Sequence, residues 1–175
     1  MKKHVWIYGT IAGFITTAWT IGMMAANKNC EIGEYAEVYG YTIMLLAFSM
    51  IFVGVKNYRD KYNDGVITFG KAFKLGLLIT LVASTIYVIV WLIDYTFFIP
   101  DFMDKYSAKM MEKLKASGMS QVELEAKAKE MTEFKEMYKN PFFNAMITYT
   151  EILPVGLLMS LIAAFVMKKR PTRLT

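Results

Sequence analysis

Between Leu75 and Ile99 the chain carries one ionisable residue, Asp94, and no proline. A bilayer's hydrocarbon core is about 30 Å thick and is crossed by roughly 20 helical residues, fewer than this run contains. A helix that is apolar on every side has no stable place on a water-soluble surface. Nor does the run show the period-two alternation of a membrane-barrel strand. The stretch Phe69–Pro100 is therefore expected to hold a transmembrane helix, and lipid becomes the solvent against which every other segment is read.

Three more runs answer to the same physics. Val5–Ala26, Val38–Val55 and Phe142–Met167 are mainly apolar and carry no charge, apart from Glu151 in the last. The composition agrees: 55% of the 175 residues are hydrophobic and 20% charged, against about 45–50% and about 25% in soluble domains. The expectation is an all-α protein: an integral membrane four-helix bundle of one domain, 1–175, with spans near 5–26, 38–55, 72–99 and 142–167. A cleaved leader competes for the first run. Leader cores are only about 7–15 residues long, however, and this run is longer and contains Trp6, Tyr8 and Trp19. Asn27-Lys28-Asn29 before Cys30 is not the small apolar set that precedes a lipidated cysteine.

The segment Pro100–Asn140 is the one part with a soluble pattern. Phe102, Tyr106, Met110 and Leu114 recur every fourth residue, a helical stripe that Ser117-Gly118 ends. Ser120 and Glu123 then fit a capping box, in which each side chain satisfies a backbone N–H that the helix start leaves free. Leu124, Ala128, Met131 and Tyr138 carry a second stripe, closed by Asn140-Pro141. The reading is a periplasmic helical hairpin between spans three and four. It is too small for a core of its own, so it must pack on the membrane or on a partner.

Charge sets the orientation. Lys2 and Lys3, the basic stretch Lys56–Lys74, and Lys168, Lys169, Arg170 and Arg173 all fall on one side of a four-span chain, while the short loop opposite holds only Lys28. Basic residues in short loops stay in the cytoplasm, which places both termini there. Topology thus accounts for the net charge of +5, and no nucleic acid is expected. Within the basic stretch Lys56, Arg59, Lys61 and Lys71 are candidate contacts for anionic lipid headgroups, and Asn63-Asp64-Gly65 marks a turn.

Two carboxyl groups lie inside apolar runs, Asp94 and Glu151. Placing an ionisable group in a span costs at least about 2.5 kcal/mol, so each is a candidate for binding or proton handling. The structural alternative has Asp94 reaching the outer interface and Glu151 taking hydrogen bonds from Thr148, Thr150 or Tyr95. Counted from the outer ends of their spans, the two could face each other. Pro154, three residues beyond Glu151, is expected to break or kink its helix and free a carbonyl. Small residues at four-residue spacing are candidates for close helix packing: Gly9 and Gly13; Gly76, Thr80 and Ser84; Gly156 and Ser160. Gly9 and Gly13 would also suit a homodimer. Cys30 and His4 are the only cysteine and histidine, which leaves no internal disulfide and no zinc site. Met23-Met24 and Met110-Met111 lack the neighbouring His or Cys of a copper site. No cofactor is expected, and no phosphate-binding or nucleophile motif is present.

The run Phe52-Val53-Gly54-Val55-Lys56-Asn57-Tyr58-Arg59-Asp60, with Gly65, Ile67 and Phe69-Gly70-Lys71-Ala72-Phe73 after it, resembles a family of small bacterial membrane proteins, the domain of unknown function four-one-nine-nine. Glu151-Ile152-Leu153-Pro154-Val155-Gly156 resembles that family's last helix. The resemblance covers nearly the whole chain and implies four spans in a Gram-negative inner membrane. It supplies no activity and no catalytic residue. The resulting expectation is a non-enzymatic partner or scaffold subunit of a membrane complex, in contact with another membrane protein or with copies of itself. The alternative is a small oligomeric proton-coupled transporter using Asp94 and Glu151.

Overall fold

The computed structural model describes residues 1–26 and 36–169. The expected short loop with its Glu31, Glu34 and Cys30, and the terminal Arg170 and Arg173, lie outside the described residues. Seven helices follow in order among those that are described: α1 (Lys2–Ala26), α2 (Ala36–Phe48), α3 (Met50–Tyr62), α4 (Phe69–Phe97), α5 (Phe102–Ala116), α6 (Gln121–Tyr138) and α7 (Pro141–Met167). The described chain is all-helical apart from a single pairing between Ile67 and Lys169, which exchange two backbone hydrogen bonds of 2.9 Å.

Three helical segments are long and apolar enough to cross a membrane: Val38–Tyr62, which joins α2 to α3, Phe69–Phe97 and Pro141–Met167. The chain is accordingly a multi-pass membrane protein. Helix α4 is the element around which the others assemble, with α7 antiparallel on one side and α1 parallel on the other. The core runs along these contacts through Phe48, Ile51, Leu75, Ile79, Ala83, Ile152 and Ala163, all at most 1% exposed.

Local chemistry explains the boundaries. The Thr68 hydroxyl accepts from the Lys71 N–H and opens α4. Asn140 caps α7, with Pro141 at its first position, where a missing N–H costs nothing. Ser120 and Glu123 form the expected capping box at the start of α6. Asp64 (φ 51°) and Gly65 (φ 74°) make the tight reversal between α3 and α4, and only the second is free of steric cost there.

Two boundaries differ from expectation. The second span does not stop at Val55: α3 continues to Tyr62, so Lys56, Arg59 and Lys61 are helical and the basic loop shrinks to residues 63–68. Backbone hydrogen bonding does not end where side chains become charged. The interruption of that span lies instead at Ser49, whose hydroxyl bonds back to the Leu46 carbonyl at 2.6 Å while Phe52 N–H takes a three-residue bond to the Ser49 carbonyl. Pro154 breaks nothing, because α7 runs through it without interruption.

Candidate functional site

The hairpin of α5 and α6 is fastened to the spans by a buried polar cluster. Trp91 projects from α4 toward α7, and its indole N–H donates both to the Tyr138 hydroxyl (3.0 Å) and to the Asn144 side-chain carbonyl (3.1 Å). Asn144 is in the first turn of α7 and buried, and the Thr148 hydroxyl donates to its backbone carbonyl at 2.9 Å. Aromatic rings seal the joint. Phe102 meets Trp91 edge-on at 5.0 Å, Tyr95 meets Tyr138 at 5.3 Å, and Phe134 packs on both Tyr138 and Phe143. Residues from α4, α5, α6 and α7 are thereby held in one place. Such edge-to-face contacts contribute about 0.5–1.5 kcal/mol each beyond the area they bury.

Asp94 sits one turn above Trp91 on α4. It is 6% exposed, and its Oδ2 atom has no hydrogen-bond partner among the described residues. Its backbone carbonyl is occupied, accepting from the Phe98 and Ile99 N–H groups at 2.9 Å each. A buried oxygen acceptor without a donor is costly and can take a proton, a cation or a ligand N–H. Farther out, the hairpin is tied across by an ion pair between Lys135 and Asp104 and along α5 by Lys105 and Asp101 at 2.8 Å. These hydrogen-bonded pairs hold Lys135 above the ordinary lysine range and Asp101 below the ordinary carboxylate range. No group of three or more metal-ligating side chains occurs among the described residues.

The two carboxyl groups are not brought together. The inner stripe of α7 is Thr148, Ile152, Gly156 and Ser160, so Glu151, about 100° round the helix from Ile152, lands on the exposed side with Pro154. With Trp91 level with Asn144, Asp94 and Glu151 stand about 15 Å apart along the axis.

The small-residue stripes lie in helix interfaces. The Thr80 hydroxyl donates to the Gly156 carbonyl (3.2 Å) and shares a hydrogen bond with Ser160 (3.1 Å), while Ser160 also donates to that carbonyl (2.7 Å). A Cβ added at Gly76 would lie 3.0 Å from both Ile51 and Ser160. Ser84 is buried on the same stripe. Gly9 and Gly13 press against Val82 and Ile86 of α4, where an added Cβ would come within 2.7 and 2.9 Å. That surface is filled from within the chain and is not open to a second copy.

The four basic candidates divide. Lys56 and Lys61 are exposed. Arg59 turns inward to donate to the Met167 carbonyl at 3.2 Å, finishing α7, and pairs with Asp60 at 2.6 Å. Lys71 donates to Asn63 at 2.6 Å and lies over the Tyr58 ring. Beside them is a cluster that sequence reasoning missed: His4 is buried edge-on between Tyr58 (5.6 Å) and Tyr62 (4.6 Å), and Asn57 donates to the Tyr8 hydroxyl at 2.6 Å. Asn144 and Trp91 were missed as partners too. An asparagine inside an apolar run was the available signal for the first.

The family model described as "Protein of unknown function (DUF4199)" matches residues 7–169, and the chain belongs to that family. No curated protein and no solved structure matches the chain.

Proposed function

For a member of this family, we propose a role as a non-enzymatic partner subunit of a membrane complex, with α5 and α6 as the arm that meets the partner outside the bilayer. One observation carries this reading: the hairpin root is locked to α4 and α7 through Trp91, Tyr138 and Asn144. A mobile loop would need no such joint, whereas a docking arm gains affinity from being held in place beforehand. In this reading α1 is the fourth span, both termini are cytoplasmic, the hairpin is periplasmic and the bilayer is a bacterial inner membrane. Lys56 and Lys61 meet anionic headgroups, each adding about 1 kcal/mol near the surface, whereas Arg59 and Lys71 serve the fold.

Replacing residues 104–136 with a short glycine–serine link tests the arm. The shortened chain still inserts and is recovered from membranes, but the protein that co-isolates with the intact chain is lost. Retention of that protein at full yield would remove the hairpin from the interaction.

A second reading, proton or cation handling at Asp94, is favoured by its buried, unpartnered Oδ2. In liposomes that reading requires Asp94→Asn to abolish a proton or cation flux that Glu151→Gln, on the outer face, leaves intact. Absence of flux with the native chain would end it.

A further inference from the structure

Three helices meet the last two turns of α3. Tyr58 and Tyr62 take the His4 ring of α1 edge-on, at 5.6 and 4.6 Å, and the Tyr8 ring lies 6.1 Å from it. The Tyr8 hydroxyl in turn accepts from Asn57 at 2.6 Å. The Lys71 ammonium, in the first turn of α4, lies 5.3 Å over the Tyr58 ring, and Arg59 reaches the Met167 carbonyl at the end of α7. These two turns therefore clasp the ends of α1, α4 and α7, and the Tyr58 ring is shared between His4 and Lys71.

His4 is the chain's only histidine and is 6% exposed. Imidazole is the side chain whose charge ordinarily changes near neutral pH. The largest charge effects on this ring come from the Met1 amino group and Lys3 on its own helix and from Lys61 on α3, all positive. From α4 the nearest cation is Lys71, which reaches the cluster through Tyr58. Asp60, the one acid of α3, is paired with Arg59 at 2.6 Å. Burial first, and then those positive charges, hold His4 below the ordinary histidine value. The Asn57 side chain, hydrogen-bonded to the ring, works the other way.

We propose that His4 is a proton-sensitive latch: neutral, it fastens the first turn of α1 into the clasp at the end of α3, and protonated, it releases that turn. A proton added to the free ring nitrogen places a new positive charge among positive neighbours, in a site that excludes the water needed to solvate it. The folded cluster thus binds fewer protons than the unfolded chain. The joint is at full strength above the ordinary histidine value and weakens as pH falls through the folded one. Helix α1 packs along α4 through Gly9 and Gly13, so freeing its first turn loosens the start of that interface. The latch is independent of the partner-subunit reading, because it lies at the opposite end of α4 from the hairpin.

The test uses the full-length chain in lipid nanodiscs, from neutral pH down to mildly acid pH above the carboxylate range. A single histidine gives a single imidazole C–H resonance, so its titration is read without any substitution. The expected midpoint lies below that of the same chain unfolded in denaturant. Amide exchange, corrected for its intrinsic pH dependence, reads the release. Protection over residues 3–9 should fall at acid pH by about tenfold for each pH unit that separates the two midpoints, while the turns around Thr80 and Ser160 stay protected. His4→Phe keeps a ring in the cluster and should make protection over residues 3–9 independent of pH in this range. A midpoint at or above that of the unfolded chain, protection that does not change with pH in the native chain, or a step that survives His4→Phe would each overturn the inference. The native titration needs no variant, so it decides the matter even where His4→Phe fails to fold.

Discussion

Gly156 is where the packing of α4 on α7 is tightest, and it allows a quantitative test. A Cβ at this position would overlap the Thr80 Cγ2 methyl outright and stand 2.9 Å from Thr80 Oγ1 and 3.0 Å from the Phe48 ring. Thr80 and Phe48 are fully buried, so neither side chain has free space to move into. Turning the Thr80 methyl away would carry off the hydroxyl that bonds Gly156 and Ser160. Overpacking of this kind costs about 1–3 kcal/mol, and a lost interhelical hydrogen bond adds about 0.6 kcal/mol. The higher helix propensity of alanine returns at most about 1 kcal/mol. Gly156→Ala is therefore expected to destabilise the protein by about 1–3 kcal/mol. Thr80→Ser removes the clashing methyl and keeps the hydroxyl, so the double variant should show a favourable coupling of about 1 kcal/mol or more. Helical circular dichroism during unfolding in mixed micelles reads all three variants. Gly40→Ala, where an added Cβ meets nothing within 4 Å, is the control. A Gly156→Ala protein as stable as the parent, or a Thr80→Ser change that rescues nothing, would refute the packing argument.

Other consequences follow from the same contacts. Trp91→Phe removes the N–H shared by Tyr138 and Asn144; amide exchange in α6 should quicken by the equivalent of about 1 kcal/mol, with the Thr80–Ser160 region unchanged. Gly13→Leu drives a side chain into Ile86 and should lower the thermal midpoint well below that of Gly22→Leu, whose surroundings are open. The hairpin should hold its structure over a bounded pH range. Asp101, through Lys105, and Glu123, through Ser120, are held below their ordinary values, so their stabilisation is present above those values and lost as pH falls through the folded ones. Lys135 is held above its ordinary value by Asp104, so its share is present at neutral pH and lost as alkali passes the folded value. Limited proteolysis of the hairpin across pH should show cleavage rising at both extremes.

The apolar runs and the capping signals could be read directly from the sequence. Runs of mainly apolar residues over the length of a bilayer allow few alternatives to a membrane helix, and Ser120 with Glu123 formed the capping box their spacing requires. Less legible was anything that depends on how helices are rotated against each other. Glu151 and Asp94 look equivalent in sequence, but the rotation of α7 that buries Thr148, Ile152, Gly156 and Ser160 turns Glu151 outward, while Asp94 is buried on α4. The four-residue series Gly76, Thr80, Ser84 does lead toward Trp91 and Asp94 when followed up α4, so the burial of Asp94 could have been found from its own helix. Pro154 leaves α7 continuous because a missing N–H removes one bond of the helix without dictating a break. Ser49 gave no warning, since a serine hydroxyl competes for a backbone carbonyl only where the local geometry invites it.

The most direct test of the account is the composition of the particle that holds this chain in its native membrane. Extraction in mild detergent after brief crosslinking, followed by native mass measurement, should give a fixed stoichiometry between the chain and a different membrane protein. A particle holding only this chain and lipid, as monomer or homo-oligomer, would contradict the partner-subunit reading and move attention to Asp94.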